Sequence, residues 1–188
     1  IISIMYDKED PAIKPTFTTA SVTSFTGDGD TRDYFNEDVT FNLDVEEQFP
    51  TNETRELDGS AISNQPTPYV LIRSHNADGD SQEEVKAIPD PENNHYTFQH
   101  SFTKDGDYEI VVAVKDEAGH TNEYVKHIKI DKTAPSYGVT YKTINQNGLP
   151  RVINALSFGL FFREKVRVEV SLNDGYYGSG AQYIHYID

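Results

Sequence analysis

Apolar side chains recur at every second position through most of this chain, and any fold must satisfy that period. Val39, Phe41, Leu43 and Val45 alternate with Thr40, Asn42 and Asp44. Tyr96, Phe98, His100 and Phe102 alternate with Thr97, Gln99 and Ser101. Tyr108, Ile110, Val112 and Val114 share one face, with Glu109 and Lys115 on the other. Tyr124, Ile128 and Ile130 form a further face that Lys126 interrupts. A period of two is that of a strand with one buried side. The continuous run Tyr69–Ser74 reads as a strand covered on both sides.

Between the runs stand Asp-Gly, Pro and Asn clusters: "TGDGD", "NADGD", "PDPENN", "KDGD" and "DEAGH". These are turn writers, because Gly reaches positive φ without steric cost and Asp bonds its own backbone. The pattern predicts strands at about 13–25, 34–45, 68–74, 83–88, 95–102, 107–115 and 121–130. Seven short strands in an all-β chain predict an antiparallel sandwich. The polar connection at 46–68 is long enough to be expected to carry short structure of its own. Tyr108, two residues after Gly106, reads either as a tyrosine corner, its hydroxyl bonded to backbone upstream, or as an ordinary core tyrosine.

The phrase Asp-Lys-x-x-Pro occurs twice, at Asp7–Pro11 and at Asp131–Pro135, 124 residues apart. It reads as a joint: Asp closes one strand and Pro fixes an extended entry to the next. The charge changes at the same place. Residues 1–133 carry 27 acidic and 11 basic groups, net −16, and residues 134–188 carry 4 and 5, net +1. The expected organisation is a tail of a preceding unit at 1–10, one complete sandwich at 11–133, and the N-terminal part of a second at 134–188. In that second unit, strands are expected at Tyr137–Tyr141, around Val166–Leu172 and at Gln182–Ile187, with one short helix near 150–156. Because the second unit has about three strands of an expected seven, the chain reads as a stretch of a longer one.

Composition closes off several classes. There is no cysteine, so disulfides, thiolate catalysis and Cys-type zinc sites are excluded. A charge of −15 repels phosphate backbones and anionic lipid, so neither nucleic acid nor membrane is an expected partner. The longest apolar cluster, "LSFGLFF", is far short of the roughly 20 residues of a membrane-spanning helix. None of the six histidines makes a His-x-x-x-His pair, and His100 reads as a hydrogen-bonded core or edge residue. No nucleophile elbow, phosphate loop or dinucleotide fingerprint occurs, and no catalytic residues are assigned: the chain is expected not to be an enzyme.

Three Asp-Gly-Asp turns contribute Asp28, Asp30, Asp78, Asp80, Asp105 and Asp107. In an up-and-down sandwich their loops share the pole where the last strand leaves. Two readings stay open: solvated turns that need no cofactor, or oxygen ligands for Ca²⁺, which takes six to eight such donors. None of the three has EF-hand spacing.

The stretch "DGDYEIVVAVKDEAGHTNEYVKHIKIDKTAP" resembles the C-terminal half of the bacterial Ig-like repeats of Gram-positive cell-surface proteins. "FGLFFREKVRVEVSLNDGYYGSGAQYIHYI" resembles the N-terminal half of such a repeat. His120 stands where the family pattern has Asn, and residues 46–100 have no counterpart. The resemblance implies tandem immunoglobulin-like β-sandwiches, one complete and one partial, placed at the cell wall or secreted. Their expected role is structural or adhesive, with neighbouring units, host glycan or host protein as partners. The alternative is a carbohydrate-binding or accessory module of a large secreted glycosidase.

Overall fold

A computed structural model describes residues 9–27, 30–46, 62–63, 68–90, 95–143 and 166–180. It divides into two compact units, Ile1–Lys132 and Thr133–Asp188. The first contains β1 (Ala12–Phe17), β2 (Thr23–Gly27), β3 (Asp30–Phe35), β4 (Val39–Glu46), β5 (Tyr69–Asn76), β6 (Gly79–Lys86), β7 (Ile88–Asp90), β8 (His95–Phe102), β9 (Gly106–Lys115) and β10 (Thr121–Ile130). They form a four-stranded sheet of order β1-β4-β8-β7 and a six-stranded sheet of order β2-β3-β10-β9-β5-β6. Every pairing is antiparallel except that of β3 with β10.

Alternation places the core. On β4, Val39, Phe41, Leu43 and Val45 are buried, and on β9 Tyr108, Ile110, Val112 and Val114 are buried; the residues between them are not. These two rows, with Phe98 and Phe102 of β8 and Ile128 and Ile130 of β10, form one continuous apolar cluster shared by both sheets. The first unit is therefore a β-sandwich. Phe41 lies at the centre, fully buried, with its ring 5.3 Å from Phe17, 6.1 Å from Phe98 and 6.5 Å from Tyr124.

The alternation does not show where strands break. The strand expected at 13–25 is two: β1 joins the smaller sheet and β2 the larger. The strand expected at 34–45 likewise divides into β3 and β4, which belong to opposite sheets. A third crossing falls at Ala87, between β6 and β7, where the buried Ala87 donates its N–H to Pro68 O at 2.9 Å. At the first two of these points the chain bends, at Thr18–Thr19 and at Asn36–Glu37, as it crosses between sheets. Of the long connection after β4, Ile62 is buried in the core and bridges Asp116, and the Ser63 N–H donates to Lys115 O at 2.8 Å. Lys126, which interrupts an apolar face, pairs at 2.8 Å with Asp33 of β3.

In the second unit, β11 (Ser136–Thr143) pairs antiparallel with β12 (Val166–Asn173). Tyr137 lies opposite Leu172, Val139 opposite Val170 and Tyr141 opposite Val168, and all six are exposed. The helix expected near 150–156, the strand expected at Gln182–Ile187 and residues 1–8 of the expected tail lie outside the described residues. Among the described residues no helix is long and apolar enough to cross a membrane.

Two substitutions test the packing. Phe41→Ala removes the ring that three aromatic neighbours enclose and should cost about 3–5 kcal/mol by urea unfolding. Phe41→Leu should cost under about 1.5 kcal/mol if repacking suffices. Equal stability of Phe41→Ala and the parent would contradict this placement of the core.

Candidate functional site

The turns and strand ends of the larger sheet carry most of the polar chemistry. Gly106 opens β9 where it must: a Cβ there would sit 2.6 Å from the backbone oxygen of His75 and 2.7 Å from Cβ of Asn76. That approach lets Gly106 pair with Asn76 on one side and Ile130 on the other. The next inward residue, Tyr108, donates its hydroxyl to Lys104 O at 2.8 Å, so the tyrosine-corner bond is present. Burial pushes the Tyr108 phenol up.

The outward positions of the same strands form a ladder of charges. Asp107 accepts from Arg32 Nη1 at one oxygen and from Lys129 Nζ at the other, each at 2.9 Å. Glu109 pairs with Arg73 and lies 3.2 Å from His127 Nε2. Burial raises the Glu109 carboxyl, but Arg73 and His127 outweigh it and hold the group below its ordinary value. His75 pairs with Asp80 across the β5–β6 hairpin. Around these groups runs an open groove of about 580 Å³, lined in part by Arg32, Arg73, His75, Gln82, Glu109 and His127. Phe25 of β2 is paired in register with Arg32 and is 64% exposed.

The aspartates of the three turns take different partners. Asp78 accepts from Lys104, Asp80 from His75, and Asp105 from the Lys132 N–H at 3.3 Å. Asp107 holds Arg32 and Lys129, and Asp30 lies 2.7 Å from His127 Nδ1. Asp28 lies outside the described residues. The turns at 78–80 and 105–107 meet at one end of the larger sheet, because Asn76 and Gly106 are partners. Asp30 does not join them: β3 runs parallel to β10, which places its start partway along that strand. The turns at 78–80 and 105–107 thus share one end of the larger sheet, and Asp30 lies away from it. Among the described residues, no three His, Asp or Glu gather into a group that could hold a metal ion.

The exit of β10 is a second constellation. The Asp131 N–H donates to Phe35 O at 2.9 Å, extending the parallel ladder past the strand's end. Lys132 Nζ then reaches Asp38 Oδ1 and Thr103 O, both at 2.7 Å, tying the β3–β4 and β8–β9 turns to the departing chain. The hydrogen bond to Asp38 raises the Lys132 ammonium above its usual value. At the other end of β10, the carboxylate of Asp116 is fully buried. It accepts from the N–H groups of Gly119 and His120, at 2.5 and 2.8 Å, and from His120 Nδ1 at 2.7 Å. His120 thus fills the donor role that an Asn side chain could fill at this position.

Sequence reading missed the ladder. Its signal was present, since Asp107 and Glu109 alternate on one predicted strand and His127 and Lys129 on the next. Pairing those strands antiparallel would have set the opposite charges side by side.

The chain matches no protein-family model, and no curated protein matches its sequence.

His100 sits half-buried on the inner face of β8, its ring 4.7 Å from Phe102 and 6.3 Å from Phe98. Its neighbours are therefore aromatic, and burial holds its pKa below the ordinary imidazole value while Glu83 opposes. The unfolded chain therefore takes up this proton first. The contribution is present above about pH 6.5 and is lost as pH falls through the depressed value. His100→Phe should reduce the loss of unfolding free energy between pH 7.5 and pH 5, measured in urea. An unchanged pH slope in that variant would count against the assignment.

Proposed function

We propose that the chain is a non-catalytic segment of tandem immunoglobulin-like sandwiches from an extracellular bacterial surface protein, acting as a load-bearing spacer. One observation carries the mechanical reading. The chain enters the first unit at Pro11, whose carbonyl accepts from Asn122 Nδ2 at 2.8 Å, beside the start of β10. It leaves at the other end of that same ten-residue strand. Entry and exit are therefore separated by the length of β10, roughly 30 Å at about 3.3 Å per residue. A pull on both ends acts along the strands, so the β3–β10 ladder is sheared as a set rather than opened one bond at a time.

Two further features support the immunoglobulin-like part. The orders β1-β4-β8-β7 and β3-β10-β9-β5 correspond to strands A-B-E-D and A′-G-F-C of such sandwiches. The Tyr108 hydroxyl bond falls at the strand F position, where the tyrosine corner of that fold belongs.

A second reading is favoured by the groove on the larger sheet. Its alternating donors and acceptors, with the exposed Phe25 on the same face, suit a sugar ring's hydroxyls and its apolar side. Carbohydrate binding is the corresponding function.

Single-molecule extension of the chain, held at its two ends, tests the first reading. The first unit should rupture in one cooperative step. Lys132→Ala, which frees the β10 exit, should lower the rupture force without changing the length released. Gradual extension with no rupture peak would sink it. For the second, titration with neutral oligosaccharides should shift NMR signals of Arg73 and Phe25. No shift across a broad panel would dismiss it.

A further inference from the structure

The edge of a sheet presents unpaired N–H and C=O groups that can take up another strand, and proteins guard such edges with charge, proline or brevity. The first unit has four edges, β1 and β7 on the smaller sheet and β2 and β6 on the larger. Three are guarded. β1 carries Lys14 and Pro15, β7 is three residues long with Pro89 and Asp90, and β6 carries Asp80, Glu83, Glu84 and Lys86. β2 reads Thr-Ser-Phe-Thr-Gly, with neither charge nor proline. Phe25 at its centre and Val22 just before it are both exposed.

This bare edge is nonetheless held as a strand. The Val22 N–H donates to Tyr34 O at 2.8 Å, Ser24 Oγ donates to Asp33 Oδ1 at 2.6 Å, and the Thr26 and Thr31 hydroxyls lie 3.0 Å apart. All five residues of β2 are in register with β3 on one side. On the other side, among the described residues, no strand lies against it. An added strand would therefore meet backbone already in the extended conformation it needs.

We propose that β2 takes up β2 of a second copy of this chain, antiparallel about a two-fold axis at Phe25, so that two six-stranded sheets become one. Charge and register select this occupant. The chain carries −15, so a contact between copies must keep carboxylates apart. Pairing through β6 would bring two rows of Asp80, Glu83 and Glu84 together, whereas β2 brings no charge of its own. With Phe25 opposite the second copy's Phe25, Ser24 meets Thr26 and Thr23 meets Gly27. Aromatic pairs and hydroxyl pairs directly across antiparallel strands are both favourable. Five residues a side make an interface well below the roughly 1,200–2,000 Å² of a stable complex, so the dimer is weak and reversible. The contact lies wholly in the first unit and depends on neither functional reading above.

Sedimentation equilibrium on the 188-residue chain, up to about 1 mM, reads the association. Monomer should give way to dimer and go no further, because a two-fold contact uses up the edge. The dissociation constant should fall at least about fivefold between about 20 and about 300 mM NaCl, since salt screens the repulsion between two acidic chains. Phe25→Lys sets like charges opposite one another and should return the chain to monomer. Phe25 lies outside the core, so the variant's circular dichroism should match the parent's. A second measurement uses the absence of cysteine. Ser24→Cys and Thr26→Cys chains should form a disulfide at least about tenfold faster when mixed than when oxidised separately, because only the mixed pair is directly opposite and within reach. If Phe25→Lys fails to fold, this cross-link decides alone. A parent that stays monomeric, a dimer that survives Phe25→Lys, assembly beyond the dimer, or equal cross-linking rates overturns the proposal.

Discussion

Two rows of side chains, one from each sheet, interdigitate around Phe41, and the rest of the first unit depends on that contact. A sheet with one apolar face cannot remain single in water. It must find a second apolar face, and each large side chain buried there contributes about 1.5–3 kcal/mol relative to exposure. Once Val39–Val45 of β4 face Ile110, Val112 and Ile128, every neighbouring register is fixed, because a slip of one residue would turn an entire row toward solvent. The outward positions are then free to carry charge. That is why most salt bridges of the larger sheet gather on its outward face, with the Lys126–Asp33 pair on the apolar face as an exception, while only isolated polar groups such as Asp116 are buried.

The strands that were legible from sequence are those whose two faces differ. β4, β8 and β9 alternate cleanly, and β10 does so apart from Lys126, because each has one side in the core and one side outside it. The sheet crossings at Asn36–Asp38 and at Ala87 were not legible. The charged "FNED" reads as a turn, and the chain does bend at Asn36 and Glu37, but nothing there marks a change of sheet. Periodicity reports which residues are buried but not which partner buries them. The same limit explains the aspartates. Their turns were visible as Asp-Gly pairs, yet their partners, apart from the Lys132 N–H on Asp105, are Lys, Arg and His side chains from other strands and turns. Only the pairing of β3 parallel to β10 shows that Asp30 belongs beside His127 and not beside Asp78.

The repeated Asp-Lys-x-x-Pro phrase gains a physical meaning at its second occurrence. Asp131 continues a backbone ladder and Lys132 ties down two turns, so the phrase completes the unit it closes as well as opening the next one.

Opposite placement of entry and exit has one more consequence. A folded sandwich spans roughly 30 Å between its ends, whereas about 120 residues drawn out straight reach on the order of 400 Å. Each unit is thus a stored reserve of slack. In the proposed tandem, load-bearing role, overstretching would surrender one module's contour length and drop the tension on its neighbours, so a string of such modules would lengthen before it broke.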